Sequence, residues 1–292
     1  MGANGTGSHG FYTVSNERAA ERVRCRDENV CQAHPDAWCA FAAGPVLMSA
    51  CRLAALLVSP FVGSFLGVVV RRLPLGRSVV SGRSACEACR HPLGVRDLVP
   101  LVSYAALRGR CRYCRASIAP MHPAIELASL AVAASAAIAD GADNPRLWAG
   151  CVLGWTLLTL GWIDWKHLRL PDALTLPLIL AGLAVTWRLD PTSLGDHAAA
   201  AAGGYTAFRL LGLAYARLRG REGLGQGDAK LLAASGAWVG VEGLPGVLFW
   251  GAICGLAIAG VSRLQGHRMT ASSAIPFGPC LAASTWLVWL GG

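Results

Sequence analysis

Residues 223–240 read GLGQGDAKLLAASGAWVG. Three glycines, Gly223, Gly225 and Gly227, lead to a single acid, Asp228, and an apolar run follows at once. A lone carboxylate at the mouth of such a run is costly to desolvate, so its position needs a reason. Composition says what the run is. Of 292 residues, 54% are hydrophobic and 15% charged, against about 25% charged in a soluble domain. Apolar stretches of roughly 17–24 residues succeed one another, each long enough to cross a bilayer.

The expected fold is therefore all-α and polytopic, with about eight transmembrane helices. The spans read at about 46–70, 123–139, 146–164, 173–189, 197–216, 229–241, 243–262 and 273–291. Residues 46–292 form one membrane domain, interrupted over 71–122 by a polar, Cys-rich insertion. Residues 1–45 are polar, mixed in charge and without an apolar core of signal-peptide type. They read as a disordered tail or an upstream start that is not used, with Met48 opening the first span. Cys25, Cys31, His34 and Cys39 in this tail fit no common metal spacing.

The formal net charge is +9. Its distribution argues for topology rather than for nucleic-acid binding, which is not expected. Bases concentrate in alternate loops: Arg71 to Arg115, then Lys166 and Arg169, then Arg217, Arg219 and Arg221, then Arg263 and Arg268. The intervening loops carry Asp140 and Asp143 with Arg146, then Asp190 and Asp196, then Glu242. The positive-inside rule puts the basic loops, including the insertion, in the cytoplasm and both termini on the other side.

The chain has 11 cysteines. Cys51, Cys151, Cys254 and Cys280 fall in apolar segments and read as small buried residues. The insertion holds two C-x-x-C pairs, Cys86/Cys89 and Cys111/Cys114, separated by 21 residues. Each pair is a knuckle that can aim two thiolates at one ion, and four thiolates close a tetrahedral structural Zn2+ site. The insertion is too poor in apolar residues to build its own core, so metal would supply folding energy. A reducing cytoplasm disfavours disulfides there; two reduced or redox-active pairs are the alternative.

Two acids lie at the predicted cytoplasmic ends of spans. Asp164 closes the third in LGWIDWKHLRLPDALTLP, and Asp228 opens the sixth. Ionisable residues at the membrane are functional candidates by default. Two carboxylates brought together share a proton, so one can activate water while the other protonates a leaving amine. Gly225 and Gly227 would allow the tight turn that delivers Asp228 to Asp164, with φ > 0 at Gly227. The plain alternative for Asp228 is a helix N-cap. Asp172, between Pro171 and an apolar run, reads as an N-cap. Glu126 is an acid inside a span and a further functional candidate, its alternative being a partner for a nearby arginine.

These residues sit in an ordered set: GSFLGVVVRRLP (63–74), the two C-x-x-C pairs, RGRCRYCRASIAP (108–120), PAIELASL (123–130), IDWKHLRLPDALTLP (163–177), GQGDAKLLAASGAWVG (225–240) and IPFGPCLAAS (275–284). Over about residues 58–283 the chain resembles the prepilin leader peptidases of type IV pilus and type II secretion systems. The resemblance implies a bifunctional enzyme of the bacterial inner membrane, with its active site at the cytoplasmic face. Its substrates would be prepilins or pseudopilins, whose basic leader lies among the headgroups while an apolar helix lies in membrane lipid. The leader is cut after a glycine by an aspartate pair that matches Asp164 and Asp228. The new N-terminus is then methylated from S-adenosylmethionine. Glu126 matches a glutamate of the family. The chain departs from the pattern at Gly67, where asparagine is usual, and at Met121 and His122, where arginine and tyrosine are common; both departures lie near segments linked to methyl transfer.

An ion-coupled transporter using the same two acids is the rival reading. It expects an internal repeat and acids at mid-membrane. The sequence has no evident repeat, and both acids map to one face. A non-catalytic assembly factor held by its knuckles is a third reading, against which the intact aspartate pair argues.

Overall fold

Backbone inside a bilayer has to satisfy its own N–H and C=O groups, which a helix does within one segment. The computed structural model describes residues 45–80, 82–139, 144–220, 225–265 and 276–292, and among these it is helical, with two isolated β-bridges and no strand. Apart from Pro45, the tail expected over 1–45 lies outside the described residues, as do Gly223 and Glu222.

The helices are α1 (Pro45–Arg72), the short α2 (Val102–Ala106) inside the insertion, α3 (Met121–Ala139), α4 (Asn144–His167), α5 (Asp172–Leu189), α6 (Leu194–Arg219), α7 (Gln226–Leu264) and α8 (Gly278–Gly291). Five of them, α1, α3, α4, α5 and α7, are long and apolar enough to cross a membrane. The two spans expected at 229–241 and 243–262 are one element, α7, broken where Gly240 takes φ 70° and ψ −176°. Counted across that break, the expected eight segments are recovered. The Val241 N–H freed by the break donates to Asp196 Oδ2 at 3.0 Å, so a carboxylate meets the orphan donors and positive dipole of the restarted helix.

Proline and glycine set several ends. Gly76, at φ 65°, donates its N–H to the Leu73 carbonyl after the turn that ends α1. Pro123, Pro145 and Pro279 stand in the first turns of α3, α4 and α8, where a missing N–H costs nothing. α1, α4, α6 and α7 carry Arg, Lys or His in their last turns, the complement of a helix C-terminus.

Lipid is as apolar as leucine, so these helices associate through close packing and buried hydrogen bonds. α4 is shared by two clusters. One face of it packs Ala55 of α1 and Ala133 and Ala136 of α3 against Cys151 and Trp155. The other packs Leu153, Leu157 and Leu160 into a cluster with α5 to α8 around Trp238. Trp155 Nε1 donates to the Ser129 carbonyl at 3.1 Å, Ser129 Oγ donates to the Ser59 carbonyl at 2.6 Å, and Trp238 Nε1 donates to the Leu178 carbonyl at 2.8 Å.

Small residues let the backbones meet. A Cβ on Gly236 of α7 would stand 2.6 Å from the Ala200 carbonyl of α6, whereas one on Gly203 would meet nothing within 4 Å. Gly236→Val should therefore destabilise the protein by about 1–3 kcal/mol through overpacking, and Gly203→Val should be close to neutral. Thermal denaturation of the two variants in detergent checks this pair; equal midpoints would contradict the α6–α7 contact.

Candidate active site and metal centre

The insertion is built from two knuckles of the same design. In the first, the Cys86 N–H donates to the His91 carbonyl and the Arg90 N–H returns to the Cys86 carbonyl, beside a bridge between Ala85 and Pro92. In the second, Cys111, Ala116 and Arg115 repeat these bonds beside a bridge between Arg110 and Ser117. Arg90 and Arg115, each directly after the second cysteine, share left-handed φ values of 60° and 61°. The ring of His91 lies 3.7 Å from that of Tyr113, and Arg112 Nε donates to Asp97 Oδ1 at 2.7 Å, so each knuckle is braced on the other.

The Sγ atoms of Cys86, Cys89, Cys111 and Cys114 all lie within 4.8 Å of one another, and those of Cys86 and Cys114 are 3.8 Å apart. A tetrahedron with bonds of about 2.3 Å spaces its sulfurs about 3.8 Å apart. The cluster can therefore hold a metal ion, as the sequence predicts. Backbone N–H groups of Cys89 and Ala88 at its sulfur bring the Cys86 thiol down to about 6. The Ala116 N–H acts the same way on Cys114, but burial and the neighbouring sulfurs prevail and push that thiol up to about 11. Four clustered thiols do not all ionise unless a cation joins them.

Three contacts tie the insertion to the membrane helices. Glu126, buried in α3, accepts the Leu101 N–H at 2.8 Å just ahead of α2. Arg71 at the end of α1 pairs with Glu87. His122 at the start of α3 lies 3.4 Å from Arg71 and 3.7 Å from Glu87. The acid in the span is thus held by a backbone donor of the insertion. Gly67 faces the same place, where a Cβ would stand 3.7 Å from His122 Nδ1, so the two departures from the family pattern adjoin.

Asp164 is buried in the last turns of α4, and Asp228 is the third residue of α7. The Gly278 N–H, first in α8, donates to Asp164 Oδ2 at 2.9 Å. Asp228 accepts from the backbone of Gly225 and lies within reach of the charge of Asp164. Two acids 64 residues apart in the chain thus lie within electrostatic reach of each other, each with a backbone donor.

Several expectations change in detail. Gly225, not Asp228, is the N-cap, and Asp228 reaches back to it from the third helical position, half of a capping box. Asp172 is not an N-cap either; Pro171 precedes the helix, and Asp172 accepts from Lys230 Nζ of α7 at 2.5 Å. The glycines do not work through positive φ. Gly225 has φ −68°, and Gly227 lies inside α7, where a Cβ would stand 2.9 Å from Leu170 Cβ. The requirement at 227 is close approach to the chain between α4 and α5. Gly278, which the sequence does not single out, adjoins Asp164. A Cβ there would stand 2.6 Å from Asp164 Oδ2, and the local signal was the Gly-Pro step in IPFGPC.

Overpacking at 227 should cost about 1–3 kcal/mol. Gly227→Val should lower the denaturation midpoint, and adding Leu170→Ala should recover part of the loss. Two independent, additive effects would show that the residues do not touch in this way.

The chain matches the description Bacterial Peptidase A24 N-terminal domain over residues 57–139 and the description Type IV leader peptidase family over residues 151–260. It is 41% identical over 270 residues to a prepilin leader peptidase/N-methyltransferase of Burkholderia pseudomallei, covering 84% of this chain and 86% of that one. It is 38% identical over 263 residues to the protein of that name from Aeromonas hydrophila (81% and 89% of the two chains), and 36% identical over 263 residues to that from Pseudomonas aeruginosa (82% and 90%). No solved structure matches it. The first match takes in the knuckles and Glu126, the second takes in both aspartates, and the relatives run through all of them: the chain belongs to the type IV leader peptidase family.

Proposed function

We propose that this chain cleaves the leader peptides of type IV prepilins or type II secretion pseudopilins at the cytoplasmic face of the bacterial inner membrane, with Asp164 and Asp228 as the catalytic pair. The observation that carries the reading is that Asp164, held by the Gly278 N–H, and Asp228 lie within electrostatic reach of each other near the ends of their helices. One carboxylate takes a proton from water, and the water oxygen bonds to the scissile carbonyl carbon. The other carboxylate gives a proton to the leaving nitrogen as the C–N bond breaks. The bond from Gly278 occupies one oxygen of Asp164 and leaves proton traffic to the other. The names of the relatives support a second activity, N-methylation of the new terminus with S-adenosylmethionine as the donor of the methyl group.

The cysteine cluster is proposed to hold one Zn2+ through Cys86, Cys89, Cys111 and Cys114. The ion would fix the insertion's fold, and no step of cleavage passes through it. A transporter reading fits less well, because the acids lie at helix ends rather than at mid-helix.

Asp164→Asn and Asp228→Asn should each lower leader cleavage by about a thousandfold while leaving the protein folded and inserted, since asparagine cannot carry the proton. Gly278→Ala should lower cleavage by displacing the Asp164 carboxylate. Near wild-type cleavage by either asparagine variant would exclude the two-aspartate mechanism.

Purified protein should carry about one zinc per chain, and serine at any of the four cysteines should reduce it. Elemental analysis under reducing conditions without chelator decides; a metal-free protein that keeps its fold would refute the zinc assignment.

A further inference from the structure

A cavity of about 420 Å³ opens beside Asp164 between α3, α4 and α8. Its lining from α4 is Gly154, Leu157, Leu158, Gly161, Trp162 and Trp165. These fall at i, i+3, i+4, i+7, i+8 and i+11, one stripe of a helix. From α8 come Pro279, Ala282, Ala283 and Trp286, again one stripe. Stripes at this spacing are what one helix presents to another; α4 and α8 pack together where Gly161 meets Pro279 and Ala282, while Trp165 and Ala283 at the edge of the groove stay exposed.

We infer that this groove receives the apolar helix of the substrate, the segment that continues from the cleaved bond into the bilayer. The inference rests on the peptidase reading above and adds where the substrate lies. Trp165 follows Asp164 directly, and Pro279 follows the Gly278 that binds it, so one end of the groove adjoins Asp164. A chain cut there and entering the bilayer as a helix has this channel ahead of it. The α4 lining from Gly154 to Trp165 extends roughly 16 Å, about half the hydrocarbon thickness. It therefore seats about three turns of the substrate helix, which would run antiparallel to α4 and parallel to α8.

The surface suits a helix. Gly161, Ala282 and Ala283 leave no side chain beyond a methyl group in the floor, and small residues are what allow helix backbones to approach in lipid. Trp162, Trp165 and Trp286 form walls that lose little freedom on contact. The cavity has room for the side chains of one helix face rather than for a whole helix, the geometry of helix-in-groove recognition with anchors at i, i+3, i+4 and i+7. Gly154 is closed off, since a Cβ there would stand 2.5 Å from Val132, so the groove ends at that level.

Crosslinking tests the location without requiring cleavage. A photoreactive benzoylphenylalanine in place of Ala283, an exposed groove residue, is compared with one in place of Leu180, which is 68% exposed on α5 away from the groove. Both are placed in membranes with a full-length prepilin. Capture of the first three turns of the prepilin's apolar segment from position 283 and not from 180 is expected. Equal capture from both positions, or labelling of lipid alone at 283, would overturn the assignment.

Ala283→Trp, which fills the groove, should raise KM for the full-length prepilin by about tenfold with kcat retained. It should leave a peptide that spans the junction but lacks the apolar segment unaffected. Equal loss on both substrates, or loss on neither, would also refute the groove. Failure of the peptidase reading would show separately, as cleavage that survives Asp164→Asn while position 283 still captures the prepilin.

Discussion

The hydrogen bond from the Gly278 N–H to Asp164 Oδ2 is the contact around which the site is arranged. It answers two difficulties at once. The first N–H groups of a helix lack partners within it, and a carboxylate buried near a membrane needs donors. Joining the start of α8 to the last turns of α4 resolves both. It also sets the spacing of the two helices whose facing stripes form the apolar groove. Only glycine leaves room for the carboxylate at that point, so the backbone itself makes the contact.

The second half of the site is delivered by close approach rather than by an unusual backbone. α7 starts against Leu170, with Gly227 making room, and Lys230 pairs with Asp172 one turn further on. The loop between α4 and α5 is thereby clamped to the start of α7. That clamp and the Gly278 bond fix the neighbourhoods of Asp164, in the last turns of α4, and of Asp228, in the first turn of α7.

The insertion is tied to the membrane helices through charge pairs and one backbone hydrogen bond. Its two knuckles have little apolar surface between them, and an ion held by the four converging sulfurs would add to the His91–Tyr113 and Arg112–Asp97 contacts that join them. Glu126 then joins the insertion to α3 through the Leu101 N–H, while Arg71, Glu87 and His122 join it to the ends of α1 and α3. Gly67 and His122, two of the positions where this chain departs from the pattern it otherwise resembles, sit side by side at that junction. The acid inside α3 is accounted for by this attachment and has a structural task there whatever else it does.

Much of this molecule is legible in its sequence because a bilayer admits few alternatives. Long apolar runs have to be helices, basic residues gather in alternate loops, and two C-x-x-C pairs have a chemistry of their own. The segment count, the insertion with its cysteine cluster, and the choice of Asp164 and Asp228 as the acids to watch all follow from one-dimensional patterns. What only the tertiary structure decided are the contacts across distant sequence. Gly227 is glycine because Leu170 is beside it, not because of its φ; Asp172 is engaged by Lys230 rather than by its own helix; Gly278 matters because Asp164 lies against it. The break in α7 at Gly240 depends likewise on Asp196, 44 residues earlier, being present to cap the restarted helix. Periodicity and composition report the environment a residue needs. They do not report which residue, scores of positions away, supplies it, because that follows from helix packing in three dimensions.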